Sequence, residues 1–210
     1  MTKTVHPALL PAGLADVLPP DAMLEAKATE DLINSFAACG YERVKPPLIE
    51  FEDTLTSGSG AATADQSFRL MDPVSQRMLA VRADMTIQIA RIATTRFPDA
   101  PRPLRLSYAG QVLRVKGSIL RPERQFGQAG AELIGSGLPA ADAEVILMAH
   151  QALTKLGIRD ISIDLGLPTL VPAICEHLGI TNSIDVQQLR VALNQKDSTA
   201  IAKLPKPVAG

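Results

Sequence analysis

The stretch Arg124–Gly135, RQFGQAGAELIG, decides how the rest of the chain is read. Residues 125–134 suit a strand, and strand side chains alternate between two faces. Phe126, Gln128, Gly130 and Glu132 therefore share one face, and Gly127, Ala129 and Ala131 the other. The second face is small enough for close packing. On the first, Gly130 leaves room between an amide and a carboxylate, and Phe126 walls one end. Such a face suits a small ammonium-bearing ligand. Upstream, Leu104–Val115 reads as another long strand, and KGSILRPE between the two is polar enough for a hairpin loop. Arg114 then lies on the neighbouring strand, placed to meet a carboxylate or a phosphate.

Each residue also has a plainer reading. Glu132 and Gln128 fit solvated or salt-bridged sheet positions, and Phe126 fits plain core. Arg121 and Arg124 fit exposed charges near a turn. Asp84 fits a helix N-cap, and Thr86 ordinary first-turn chemistry. Arg82, Asp84, Thr86, Arg114, Lys116, Arg121, Arg124, Gln128 and Glu132 form the one dense polar constellation of the chain, between residues 82 and 132. Cores rarely bury such groups unpaired, so the constellation is expected at the surface or in a cleft.

Further out, residues 1–20 are Pro-rich and read as an extended arm. Asp21 caps a predicted helix running to about Cys39, with Leu24, Ala28, Leu32 and Phe36 at helical spacing and Gly40 as the stop. Tyr41–Phe51 is β-prone but broken by Pro46 and Pro47. Residues 56–66 read as a flexible loop. Ser67–Met71 and Arg77–Arg82 flank an Asp72-Pro73-Val74-Ser75 turn, and Asp84 opens a helix with Ile89, Ile92 and Ala93 on one face. Asp142 to about Leu156 reads as helix, residues 160–165 (DISIDL) as strand, and the chain beyond Pro168 as helix to about Lys203 with a break near 179–184. The tail Leu204–Gly210 reads as disordered or a cut end. Consecutive hairpins with helices between the blocks favour an α+β domain on a mainly antiparallel sheet.

Composition narrows the function classes. The 210 residues carry 21 basic and 22 acidic side chains, a net charge of −1, and are 46% hydrophobic. That is too apolar and too neutral for a disordered chain, and it lacks the basic excess usual in nucleic-acid binders. With 3% aromatics and no Trp there is little on which to stack exposed bases. No apolar run approaches the ~20 residues of a membrane span, and the N-terminus does not resemble a secretory signal. Cys39 and Cys175 read as two reduced, buried thiols of a cytosolic protein. No metal-ligand pattern, P-loop or strict dinucleotide fingerprint is present.

Three stretches resemble the class II aminoacyl-tRNA synthetase core in its histidyl branch. Gly40–Phe51 is similar to the end of motif 1, with its dimer-interface proline. Leu79–Ala93 is similar to the Arg-Pro-Glu-Gly-Thr segment that lines the amino-acid pocket. Leu104–Gly135 is similar to motif 2, whose second half reads Arg-Gln-Phe-x-Gln-x-Gly-x-Glu. The resemblance covers about residues 8–165. It departs from the synthetase pattern where Phe-Arg-x-Glu, whose Glu helps hold ATP, becomes Leu113-Arg114-Val115-Lys116. It departs again where Glu becomes Asp84 and Gly becomes Met85.

Asp84-Met85-Thr86, Gln128–Gly135 and the opening Leu10–Pro20 resemble instead a catalytically inactive branch, the regulatory subunits of ATP phosphoribosyltransferase. That resemblance implies an α+β, class II synthetase-like, mainly antiparallel sheet flanked by helices, with residues 1–166 as the N-terminal part of the core and 167–210 as the start of a helical insertion or a C-terminal helical segment. It implies a non-catalytic, cytoplasmic subunit of histidine biosynthesis that works with the short-form catalytic subunit and confers histidine feedback control. Self-association through the motif 1 region is implied, as are a histidine ligand and no tRNA, membrane, cofactor or metal role. A histidine site would comprise Asp84 and Glu132 toward the α-ammonium, Thr86 and Gln128 assisting, and Arg114 near the carboxylate or phosphate position. The alternatives are a histidyl-tRNA synthetase or a fragment of one, and a stand-alone amino-acid-binding module. The synthetase motif 3 and its Gly-Gly-Arg-Tyr-Asp segment do not occur in these residues. The resemblance therefore implies that the core is incomplete toward its C-terminal end.

Overall fold

A computed structural model describes residues 9–56, 64–177, 179 and 183–202. Parts of the arm, of the 56–66 loop and of the 179–184 break, and the whole Leu204–Gly210 tail, lie outside the described residues. The chain divides into two compact units, Met1–Ile161 and Ser162–Gly210.

The first unit is built on the predicted hairpin. β5 (Leu104–Leu113) and β6 (Gln125–Ile134) pair antiparallel over their whole length, from Leu104 opposite Ile134 to Leu113 opposite Gln125. β1 (Glu42–Arg43) adds a short parallel edge beside β5. A second, antiparallel sheet has β4 (Met78–Val81) between β2 (Ile49–Phe51) and β3 (Arg69–Met71). Pro46 and Pro47 separate β1 from β2, as expected of residues that interrupt a ladder. A one-turn helix, α2 (Glu52–Thr56), follows β2.

Strand alternation divides the unit into layers. Ala129, Ala131 and Leu133 of β6 pack under Ile33 and Phe36 of α1 (Asp21–Ala38) and Met148 and Ala152 of α4 (Pro139–Lys155). Leu106, Tyr108 and Val112 of β5 face the other way, onto Met85 and the Ile89, Ile92, Ala93 stripe of α3 (Thr86–Thr95). α4 is latched to the sheet electrostatically. Arg105 donates from Nε and Nη2 to the two Glu144 carboxylate oxygens at 2.7 Å each, and the Tyr41 hydroxyl donates to Glu144 Oε1 at 3.0 Å. The Arg105 guanidinium holds the Glu144 carboxyl below the usual carboxylate range.

Several sequence expectations are corrected. Helix α1 starts one residue earlier than a cap at Asp21 requires: Pro20 is the N-cap, and Asp21 sits inside the first turn, near the positive helix end. Leu24 is exposed although Phe36 is buried, because a strict four-residue spacing precesses around a 3.6-residue helix. Helix α4 begins at Pro139, where the missing N–H costs nothing. Residues 160–165 form no strand: they alternate, but no described strand lies beside them to complete a ladder. Cys39 is exposed, one residue past the end of α1, while Cys175 is buried as expected.

The second unit contains α5 (Leu170–His177), α6 (Ser183–Asn194) and α7 (Ser198–Ala202). Cys175 and Ala192 are its buried apolar residues among those described.

Candidate functional site

The site starts from the chain turn between β4 and α3. Asp84 is not the N-cap of α3, which is Met85, but from one residue further out its Oδ1 accepts the Thr86 backbone N–H at 2.8 Å, satisfying a helix-start donor. Its Oδ2 accepts from the Gln128 amide nitrogen at 2.8 Å, and Gln128 returns its carbonyl oxygen to the Met85 N–H at 3.0 Å. This two-point contact fastens residues 84–86 onto β6. The two predicted residues are thus brought together, each holding the other in place.

Tyr108 joins the rest. It lies opposite Gly130 in the β5–β6 register. A Cβ on Gly130 would stand 2.5 Å from the Tyr108 hydroxyl oxygen and 2.6 Å from its Cζ. The room beside Gly130 is therefore filled by a phenol rather than left open. That hydroxyl donates to Glu132 Oε1 at 3.1 Å and lies 3.2 Å from Thr86 Oγ1. Asp84, Thr86, Gln128 and Glu132 form one connected network through Tyr108, which the sequence reading missed. The signal was available: a Tyr in register with the one Gly of the polar face. The second Glu132 oxygen accepts no hydrogen bond from the described residues.

Arg114 is placed beside this network. Its Nε donates to the Ala83 carbonyl at 3.3 Å. It also lines a cavity of about 350 Å³ with Phe126, Lys116, Arg121, Asp65 and Glu123, whose wall excludes the other four predicted residues. Arg114 and Arg121 lie over the Phe126 ring, at 5.1 and 4.6 Å from its centroid. Phe126 is thus a wall, as expected, but of a cationic cavity. Arg124, read as an exposed charge, donates to the Ala12 carbonyl at 3.1 Å and is half-buried.

Arg82 belongs to the scaffold instead. It is 6% exposed and donates from Nε to the Gln111 carbonyl at 2.8 Å, and from Nη1 to the Pro46 carbonyl at 3.0 Å, the Pro47 carbonyl at 3.3 Å and Gln88 Oε1 at 3.4 Å. Burial works against its charge, and the Glu50 carboxylate nearby supports it. One guanidinium thus ties β4 to β5 and to the Pro46-Pro47 link.

The histidyl-tRNA synthetase family model matches residues 13–209. The chain belongs to this family. Among curated relatives, it is 60% identical over 202 residues to an ATP phosphoribosyltransferase regulatory subunit of Paramagnetospirillum magneticum, covering 96% of this chain and 53% of the relative. It is 56% identical over 208 residues to one of Rhodospirillum rubrum, covering 99% and 54%. The chain spans about half the length of the curated relatives it matches. A solved Bacillus halodurans structure, described as an ATP phosphoribosyltransferase regulatory subunit/histidyl-tRNA synthetase, matches with a TM-score of 0.78 and 28% identity, over 94% of this chain and 50% of that one. The fold is accordingly the mixed α+β, class II synthetase-like fold expected from the sequence. No helix among the described residues is long and apolar enough to cross a membrane.

The tyrosines of this family member provide a test of the geometry. The chain has two. Burial, and then the Glu144 carboxylate, push Tyr41 from its ordinary 10.0 up to about 12. Burial also raises Tyr108, with Glu132 adding to the effect and the Thr86 hydrogen bond opposing it. A raised folded pKa leaves stability intact below the free-phenol value and removes it as pH rises through the folded one. Phenolate absorbance is therefore expected to stay low through pH 10 and to rise together with loss of helix signal toward pH 12. An absorbance rise near pH 10 with the fold intact would place at least one phenol in solvent.

Proposed function

We propose that this chain is part of a non-catalytic regulatory subunit of ATP phosphoribosyltransferase, acting with the short-form catalytic subunit in the first step of histidine biosynthesis and its histidine feedback control. The observation that carries the reading is Lys116. It places a donor-only ammonium where the synthetase motif has an ATP-contacting carboxylate, in a cavity that already holds two guanidinium groups. Arg121 over Phe126 also covers a ring face on which a base would stack. The names borne by relatives at up to 60% identity support the same reading.

In this proposal Asp84, Thr86, Gln128, Glu132 and Arg114 form a histidine pocket. The open Glu132 oxygen takes the α-ammonium, with Asp84 and Gln128 positioning the wall and Arg114 meeting the carboxylate from the adjoining cavity. Residues 1–166 serve as the N-terminal part of the synthetase-like core and 167–210 as a helical segment. The subunit self-associates through the motif 1 region, works in the cytoplasm and has no tRNA substrate. Feedback then requires histidine to bind unequally to the active and inhibited assemblies.

The family match favours one second reading, part of a histidyl-tRNA synthetase. ATP–pyrophosphate exchange separates the two. The regulatory reading predicts no histidine-dependent exchange together with measurable histidine binding by calorimetry, and exchange at synthetase rates would overturn it. Glu132→Ala removes the acceptor for a charged donor, an interaction of roughly 1.5–3 kcal/mol. It should raise the histidine concentration for inhibition roughly 10- to 100-fold while assembly with the catalytic subunit changes little. Equal loss of both would point to misfolding instead.

A further inference from the structure

The loop joining β5 to β6 ends in a fully exposed apolar pair. Ile119 is 102% exposed and Leu120 97%. They occupy the two corners of the turn Ser118–Arg121, positions where Gly, Asn, Asp and Pro are the residues turns favour. A local rule broken without an internal gain marks a functional position more often than a defect.

The turn is built to stand rigid. The Ser118 N–H donates to the Arg121 carbonyl at 2.7 Å, and the Arg121 N–H donates back to Ser118 Oγ at 3.0 Å. A Cβ on Gly117 would fall against the Pro122 carbonyl, so the neck closes only with glycine. Below the neck, Arg114 N–H donates to the Arg124 carbonyl at 2.7 Å, Val115 N–H to the Gln66 carbonyl at 2.8 Å and Arg124 N–H to the Gly13 carbonyl at 2.7 Å. Loop and arm thus brace the hairpin from both sides. Apolar side chains on a fixed turn lose little freedom on binding, the economy that makes a few buried residues dominate an interface.

Charge indicates what the turn meets. Residues 114–124 hold four cations, Arg114, Lys116, Arg121 and Arg124, against the single carboxylate Glu123, an excess of three in a chain whose net charge is −1. Two apolar side chains are too few for stable membrane anchoring, for which even one acyl chain is marginal.

We propose that the Ser118–Arg121 turn is a preformed docking finger, whose Ile119 and Leu120 enter an apolar pocket rimmed by carboxylates on a protein partner. Taking that partner to be the catalytic subunit rests on the regulatory reading above.

The test compares the wild-type chain with the I119S/L120S double variant for binding to the short-form catalytic subunit, by calorimetry. Because both side chains are fully exposed, thermal stability and histidine affinity should be unchanged. Affinity for the subunit should fall at least ~30-fold, about 2 kcal/mol at ~1.4 kcal/mol per tenfold. Added salt should slow the wild-type association through the cationic flank. A variant that binds as tightly as wild type overturns the finger and leaves the regulatory reading standing. No association by the wild-type chain overturns both. If instead the variant keeps the subunit but loses an RNA hairpin or anionic phosphatidylserine vesicles, the turn faces a nucleic acid or a membrane and the proposal fails.

Discussion

Replacing Arg82 by Met should destabilise the chain by about 3–5 kcal/mol, since hydrogen bonds to charged groups are worth ~1.5–3 kcal/mol each and orphaned buried acceptors add ~1–3. The side chain meets four acceptors spread over three chain segments: Gln111 on β5, Pro46 and Pro47 in the link between sheets, and Gln88 on α3. Met fills similar volume but removes the guanidinium donor from all four, and of these the Pro47 carbonyl keeps the Gln88 amide at 2.8 Å. Gln88 is fully buried, so water does not reach it as a substitute. Urea unfolding of the variant measures the loss directly. Arg82→Lys should recover only part of it, because an ammonium cannot reproduce the planar fork. Gly110→Ala should mimic the defect, since its Cβ would fall against Arg82 Nη2. A fully stable Arg82→Met variant would mean that the two sheets are held by other contacts.

Gly130→Ala should cost about 2–4 kcal/mol and weaken the ligand network at the same time. Overpacking alone costs typically ~1–3 kcal/mol, and expelling the phenol forfeits hydrogen bonds of ~1 kcal/mol each. The added methyl would stand 2.5 Å from the Tyr108 hydroxyl and 2.6 Å from Cζ, with the ring buried against Met85 and Ile89 and unable to retreat. Tyr108→Phe should not rescue the variant, because Cζ remains. Tyr108→Leu, which lacks the para end of the ring, should restore much of the stability without restoring the network. Urea unfolding and histidine calorimetry on the four proteins separate the two effects. If Gly130→Ala unfolds like wild type and keeps its histidine affinity, the close Tyr108–Gly130 approach is not what organises the site.

The sequence reveals what is local and periodic. The alternation of Arg124–Gly135 placed Ala129 and Ala131 on the helix-covered face and Gln128 and Glu132 on the other, as the register bears out. The α3 stripe of Ile89, Ile92 and Ala93 was legible for the same reason. The misses all depend on a neighbour. DISIDL alternates, but alternation does not supply a partner strand. Tyr108 acquires its role only from being opposite Gly130, a pairing fixed by where the hairpin turns. Arg82 looks like any other charge of the constellation until the backbone carbonyls of Pro46, Pro47 and Gln111 surround it. Propensity and pattern describe a segment, whereas burial of an arginine or a phenol is decided by what three other segments do.

Phosphoribosyl-ATP formation by the short-form catalytic subunit, measured with and without this chain and across a histidine titration, tests the central claim most directly. The account predicts a higher rate when the chain is present, and inhibition by histidine that Glu132→Ala shifts to higher concentration. An unchanged rate and histidine response in the presence of the chain, with histidine-dependent ATP–pyrophosphate exchange by the chain itself, would contradict it.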